Sequence, residues 1–292
     1  MNIKECFSII TAQLKENNID TPAQEAGVLL CQALKCDRTY LYAHPEQEVD
    51  EPIVEQVLDN AMKRINKVPL QYIVGSTEFM SLTFKVTPSV LIPRQDTELL
   101  VETCINLANK AIGGVGSCSP RSISILDMCT GSGCVAVSLA WYLGQARLTA
   151  CDISDAALEV AKDNAKNNGV AQRITFLQGD LFEALIGSTP SFDIIASNPP
   201  YIESETISTL DPEVRSNEPL LALDGGTDGL DFYRRISKEA TSYLKQGGYL
   251  VFEIGYNQGQ LVSTLLTESG FTNVSVLKDL CNNDRVVLGQ KP

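Results

Sequence analysis

Histidine is nearly absent from this chain: His44, in a loop just before Pro45, is its single copy among 292 residues. The nine cysteines (6, 31, 36, 104, 118, 129, 134, 151 and 281) include no Cys-x-x-C pair. These shortages argue against a zinc or other metal site, and an odd, scattered set of thiols lying mostly in apolar segments points to reduced side chains. No apolar run reaches the roughly 18 to 20 residues that a membrane helix needs. The longest, Cys134 to Leu143, is interrupted by Ser138 and stopped at Gly144. The stretch Met1 to Asn17 has only a brief apolar segment and no small-residue cleavage pattern, so a cytoplasmic protein without membrane association is expected. Basic residues are in deficit as well: 23 Lys and Arg against 36 Asp and Glu give a net charge of −13. A surface of that sign repels phosphate backbones, so direct nucleic-acid binding is not expected. There is no internal repeat and no low-complexity tract.

What remains is an ordinary globular composition, 44% apolar and 20% charged, in a chain long enough for one large domain and a smaller companion. The first seventy or so residues show helical spacing. Ile3, Cys6, Phe7, Ile10 and Leu14 share a face, as do Ala26, Leu29, Leu30, Ala33 and Leu34, and later Ile53, Val54, Val57, Leu58, Ala61, Met62 and Ile65. Thr21, Pro22 and Gln24 predict a capping box at the start of the second helix. From Pro69 to Arg94 the period changes, and Phe79, Leu82, Phe84, Val86 and Val90 predict a short bridging hairpin. A helix from Asp96 follows, then a loop over Gly113 to Ser122.

Beyond that loop, strands and helices alternate. Strands are predicted at Ile123 to Cys129, Arg147 to Ile153, Ile174 to Asp180, Phe192 to Asn198 and Gly248 to Ile254, and then at Asn273 to Leu277 and Arg285 to Gly289. Repeated βα units imply an α/β fold with a mainly parallel sheet covered on both faces. The connection between the last two strands is too short for a parallel crossover, so they should run antiparallel. That ending resembles the seven-stranded sheet of Rossmann-like class I methyltransferases.

Two stretches carry chemistry. In ILDMCTGSGC, Ile125 to Cys134, a buried strand turns through a glycine-rich loop into a helix, where Gly131 and Gly133 allow a ligand close to the backbone. The loop lacks the Gly-Lys-Ser/Thr of a P-loop but satisfies Gly-x-Gly-x-x-Ala, so a dinucleotide site is one alternative. Asp152 ends the next strand, where it could accept both ribose hydroxyls. Asp180 ends the third, where it could take an adenine amino group while Leu181 covers the ring. Asp127 at the loop entrance could hold an ammonium group and would repel a pyrophosphate, which favours S-adenosylmethionine over a nicotinamide. The second stretch, Asn198-Pro199-Pro200-Tyr201, follows a buried strand and forms a rigid turn, because neither proline can donate to a sheet ladder. The expected chemistry is methyl transfer to an amide or exocyclic amino nitrogen. The Asn198 side-chain oxygen and the Pro199 carbonyl would accept from the acceptor NH₂, and Tyr201 would pack on its plane.

Further blocks narrow the acceptor: PLQYIVGSTEF (Pro69 to Phe79), VLIPRQDTELLVE (Val90 to Glu102), EVRSNEPLLALDGGTDGLDFYRRI (Glu213 to Ile236), EIGYNQG (Glu253 to Gly259) and DRVVLG (Asp284 to Gly289). With the two stretches above, the chain resembles the HemK or PrmC family, the release factor glutamine N5-methyltransferases, over nearly its whole length. The resemblance implies methylation of the glutamine in the Gly-Gly-Gln motif of class 1 peptide chain release factors. It divides the chain into a helical substrate-docking domain (1–70), a hairpin linker (71–94) and a methyltransferase domain (95–292). Carried over by position, Cys129, Thr130, Gly131, Ser132, Gly133, Asp152, Leu181 and Asn198 are cofactor residues, and Asn198, Pro199, Pro200 and Tyr201 are substrate residues; the strand-end reading adds Asp127 and Asp180. Two departures are visible: Cys129 stands where the family often has glycine, and Gln95 replaces a common proline after Arg94. The rival readings are an amino-methyltransferase of adenine or guanine, a nicotinamide oxidoreductase and a cofactor-binding adaptor.

Overall fold

The computed structural model describes residues 1–112, 122–187 and 191–292. The loop expected over Gly113 to Ser122 therefore lies, up to Arg121, outside the described residues, as does Cys118. In chain order, helices α1 (Ile3–Glu16), α2 (Pro22–Leu34), α3 (Arg38–Ala43), α4 (Glu51–Ile65) and α5 (Leu70–Val74) precede the hairpin β1 (Ser76–Phe79) and β2 (Leu82–Lys85). Then follow α6 (Glu98–Ile112), β3 (Ile123–Met128), α7 (Cys134–Tyr142), β4 (Ala146–Asp152), α8 (Asp155–Asn167), β5 (Ile174–Gln178) and β6 (Phe192–Ser197). The chain closes with α9 (Pro212–Asn217), α10 (Asp231–Tyr243), β7 (Leu244–Glu253), α11 (Gly259–Glu268), β8 (Thr272–Lys278) and β9 (Asp284–Gln290).

By internal contacts the chain forms two units, the first comprising Met1–Ser76 with Asp211–Asn217 and the second the remainder. In the first, α1, α2 and α4 turn the expected apolar faces inward, with Ile10, Leu14, Leu29, Leu30 and Val57 fully buried, except that Met62, expected on the α4 face, is exposed. The capping box forms at α1, where Asn2 and Glu5 satisfy each other's backbone N–H, whereas the Thr21 hydroxyl makes no cap bond to α2. Thr21 has φ −121° and ψ 58°, outside the extended geometry that aims an N-cap oxygen at the helix. Segment Leu70–Val74, read from sequence as part of the hairpin stretch, is instead the short helix α5, closed by Gly75 at φ +82°. A buried ion cluster binds this unit. Arg64 Nε donates to Glu25 Oε2 at 2.6 Å and Arg64 Nη1 to Glu213 Oε2 at 2.8 Å, so α9 belongs with the helices although the sequence division placed it in 95–292.

In the second unit the seven-stranded sheet has the order β5-β4-β3-β6-β7-β9-β8. Pairings from β5 to β7 are parallel, and β9 runs antiparallel to both β7 and β8. This is the class I methyltransferase fold with its antiparallel end, as expected. Adjacent residues point to opposite faces of a strand, so Ile125 and Ile194 enter one core while Leu126 and Ile195 enter the other. The first core includes the hairpin, α6 and α7 through Phe79, Phe84, Leu100 and Leu139. The second includes α10 and α11 through Tyr233, Ile236, Val262 and Leu266. The hairpin turns at Met80 and Ser81, both left-handed at φ 49° and 58°, as a two-residue turn requires if it is to match strand twist. Strand order reverses at β3, which has β4 on one side and β6 on the other. Ligands bind at the carboxyl ends of strands at such a reversal.

Candidate active site

A cleft of about 340 Å³ opens at those strand ends. It is lined by Asp127, Cys129, Thr130, Gly131, Ser132, Asp152, Asp180, Leu181, Asn198 and Pro200, ten of the sequence-predicted site residues. Gly133, Pro199 and Tyr201 are not among its lining.

Asp127 is 1% exposed, and its Oδ2 accepts from Thr130 Oγ1 at 2.6 Å and from the Ala136 N–H at 3.1 Å. Loss of water dominates: burial pushes its pKa up to about 7 against the pull of those two donors. The loop it anchors is left-handed at Cys129 (φ 63°), Gly131 (φ 53°) and Gly133 (φ 78°). Cys129 thus takes a conformation that costs a non-glycine residue about 1 kcal/mol or more, although glycine is what the family often has there. Gly133 has a different task from its neighbours. A Cβ there would lie 2.9 Å from the Ala161 Cβ, so its missing side chain lets the start of α7 meet α8.

Asp152 is held by backbone alone, with Oδ2 accepting from the Gly131 N–H at 2.8 Å and Oδ1 from the Ser154 N–H at 3.0 Å. Burial raises its pKa, and these bonds oppose the rise. Each oxygen keeps a further lone pair for a ligand hydroxyl. Asp180 is paired at Oδ2 with Arg235 Nη2 at 2.7 Å, and the Arg235 guanidinium sits 5.9 Å from the centre of the Phe232 ring. Leu181 is buried and left-handed (φ 52°). The cleft's other cation, Arg94, is paired with the buried Glu218. Among the described residues no lysine or histidine lines it, and both arginines are already answered by carboxylates. Such a cavity suits a cationic ligand with hydroxyl donors and an apolar ring, and disfavours a pyrophosphate.

At the end of β6, Ser197 Oγ donates to the Met128 carbonyl at 2.8 Å, locking this strand to β3 just before the turn. Asn198 Nδ2 donates to Thr97 Oγ1 at 3.2 Å. Pro199 is buried, and Tyr201 packs against the second core, where burial drives its phenol pKa up. Its backbone oxygen is held by Gln258 Nε2 at 3.0 Å, and Gly225 passes so close that a Cβ there would meet the Tyr201 Cα at 2.7 Å. The turn is therefore braced from behind, and the Tyr201 ring expected to pack on the acceptor is not part of the cleft wall.

Several contributors escaped the sequence reading of the site. Arg94 and Thr97 line the cleft, and Gln258 and Gly225 support the turn; all four lie inside the blocks quoted for the family resemblance, which was the available signal. Asn164 had no such signal. It is fully buried, bonds both backbone groups of Lys85 at 2.7 and 3.0 Å, and donates to the Ser132 carbonyl at 2.9 Å, tying the hairpin to the cofactor loop.

Residues 5–75 match the family described as PrmC N-terminal domain, and residues 125–214 match the methyltransferase domain family. The release factor glutamine methyltransferase of Moorella thermoacetica is 42% identical over 292 residues, covering 100% of this chain and 99% of its own. That of Clostridium acetobutylicum is 38% identical over 291 residues, covering 99% and 98%. This chain belongs to the release factor glutamine methyltransferase family. A methyltransferase structure from Pyrococcus furiosus, 16% identical, shares the fold with a TM-score of 0.51 over 81% of this chain and 96% of its own. Among the described residues, no helix is long and apolar enough to cross a membrane, and no group of three or more His, Cys, Asp or Glu side chains could hold a metal ion. The eight cysteines described are free thiols.

Proposed function

We propose that this protein transfers a methyl group from S-adenosyl-L-methionine to the side-chain amide nitrogen (N5) of the glutamine in the Gly-Gly-Gln motif of class 1 peptide chain release factors, in the cytoplasm. One observation carries the reading: Asn198 shares a single cleft with three strand-end carboxylates, in a chain that aligns end to end with relatives named for this reaction. S-adenosylmethionine supplies a methyl group made electrophilic by its cationic sulfur. Asp127 would hold the methionine ammonium, Asp152 the ribose hydroxyls, and the Asp180 oxygen left by Arg235 the adenine amino group, with Leu181 against the ring. The loop Cys129 to Ser132 would lie along the cofactor, with Gly133 setting the helix behind it.

On the acceptor side, an amide nitrogen is a poor nucleophile because its lone pair is delocalised. The Asn198 Oδ1 and the Pro199 carbonyl would accept from the glutamine NH₂, orienting it and favouring the positive charge that grows on nitrogen. Pro200 would form the adjoining wall, and Tyr201, held by Gln258, would stiffen the turn. The helical N-terminal region would dock the release factor. Purified protein, labelled cofactor and three acceptors test the proposal: a release factor, its Gly-Gly-Gln glutamine→Ala variant, and RNA. Label should enter the intact factor alone. Label in RNA, or equal label in the variant, would overturn it.

A further inference from the structure

Glu253, at the end of β7, is an acid for which the proposed reaction has so far no use. It is 1% exposed, and its Oε2 is buried with no hydrogen-bond partner among the described residues. Its backbone oxygen is fixed by the Tyr233 hydroxyl at 2.9 Å. Such an acid is costly to keep in a core, because burial opposes its charge. The parallel register of β6 and β7 sets Ser197 beside Phe252, so Asn198 and Glu253 follow side by side, and the Thr97 hydroxyl and the Asn198 amide both favour the ionised form of Glu253. The same two residues are bonded to each other, Asn198 Nδ2 to Thr97 Oγ1 at 3.2 Å, and both line the cleft.

An asparagine amide has two orientations of nearly the same shape and opposite chemistry. One presents oxygen to the ligand and can accept from an NH₂ group; the other presents NH₂ and cannot. An ionised carboxylate only accepts, so it attracts Nδ2 and repels Oδ1. We propose that Glu253 is a positioning residue: with Thr97 it holds the Asn198 amide nitrogen away from the acceptor, so that Oδ1 faces the methyl-accepting nitrogen. The assignment rests on the reaction proposed above for Asn198 but adds a residue outside the cleft wall. Protonation would reverse the preference, because a carboxylic acid can donate to Oδ1. Other groups facing Glu253 are Arg285 of β9 and Asp96 ahead of α6, with Tyr201 beyond β6, Tyr233 of α10 and Cys134 of α7. Arg285 favours its charge and Asp96 opposes it, and burial sets the balance, lifting the pKa to about 7.

The test uses the full chain with saturating cofactor, and compares wild type with Glu253→Gln, Glu253→Asp and Thr97→Val. Gln keeps the shape but can donate as well as accept. In wild type, kcat for the release factor should fall on the acid side with an apparent pKa near 7. In Glu253→Gln, kcat at pH about 8 should be roughly ten- to a hundredfold lower and this acid limb should vanish, with cofactor Kd by calorimetry within about twofold. Asp should restore part of the loss, and Thr97→Val should reproduce it. A second readout needs no substrate: the side-chain ¹⁵NH₂ signals of Asn198, assigned by their loss in Asn198→Ala, should be protected from exchange in wild type and lose protection in Glu253→Gln. Wild-type kcat and acid limb in Glu253→Gln, or unchanged Asn198 protection, would overturn the assignment. If the exchange result held while no release factor was methylated, the proposed reaction would fail and the role of Glu253 would stand.

Discussion

Asp127 and Asn198 both line the cleft, and burial acts on them in different ways. Asp127 loses its water, so its folded pKa of about 7 stands above the ordinary 3.8. A carboxyl of this kind binds its proton more tightly folded than unfolded. Its contribution to stability is therefore fully present below pH about 4 and is lost as pH rises through about 7. Asp127→Asn should accordingly raise the Tm of the cofactor-free protein at pH about 8 by a few degrees relative to wild type, with the gap closing towards pH about 4, as calorimetry across that range would show. The same variant should weaken cofactor binding about tenfold or more, because the ammonium partner is gone. Asn198 has no charge to lose, and its value lies in orientation. Asn198→Ala should lower kcat about a hundredfold while cofactor Kd, measured separately by calorimetry, changes by no more than about threefold. A turnover near wild type would remove Asn198 from the reaction.

At the scale of elements, the Asn-Pro-Pro-Tyr turn depends on what approaches it from behind. Gly225 comes so near that an added Cβ would meet the Tyr201 Cα at 2.7 Å and the Pro200 oxygen at 2.9 Å, both of them backbone. Gly225→Ala should therefore displace the turn, lowering stability by about 1 to 3 kcal/mol in urea unfolding and kcat about tenfold. Gly144→Ala, where nothing lies within 4 Å, should leave both unchanged. Strands β3 to β9 and helices α7, α8, α10 and α11 were legible from their apolar runs, and at α8 from its cap, where Ser154 accepts from the Ala157 N–H at 3.2 Å, whereas α9 falls in a stretch read as a long loop. The short helix α5 was not legible, since five residues carry less than two turns of periodicity. Nor was the failure of Thr21 to cap, which is decided by its own φ and ψ.

At the scale of the whole molecule, a buried cation joins distant segments of the first unit. Arg64 is 9% exposed and answers Glu25 of α2 and Glu213 of α9. Arg64→Ala would leave two carboxylates without their cation, one of them in the core. It should lower the stability of this unit by about 3 to 5 kcal/mol, whereas Arg64→Met combined with Glu25→Gln and Glu213→Gln should recover much of the loss; thermal unfolding of the full chain followed by probes in α1 and α2 would show both. Glu213 belonged to a block quoted for the family resemblance, yet no local pattern tied it to Arg64, because residues 149 apart in sequence meet only through folding.

The sequence by itself determined the α/β class, the antiparallel end of the sheet, the glycine-rich loop and the acids at three successive strand ends. Each of these follows from local chemistry: apolar period, turn residues and a connection too short to cross over. Ten of the predicted site residues meet in one cleft because the strand order reverses at β3 and brings the ends of β3, β4, β5 and β6 together. Only the tertiary structure decided which residues stand behind that wall. Tyr201 turned into the core, Asn164 bridging hairpin and loop, Gln258 holding the turn, and Glu253 beside the Asn198 amide all depend on contacts between distant segments. Burial and hydrogen-bond geometry fix those contacts, and neither has a signature at the level of a single residue's neighbours in the chain.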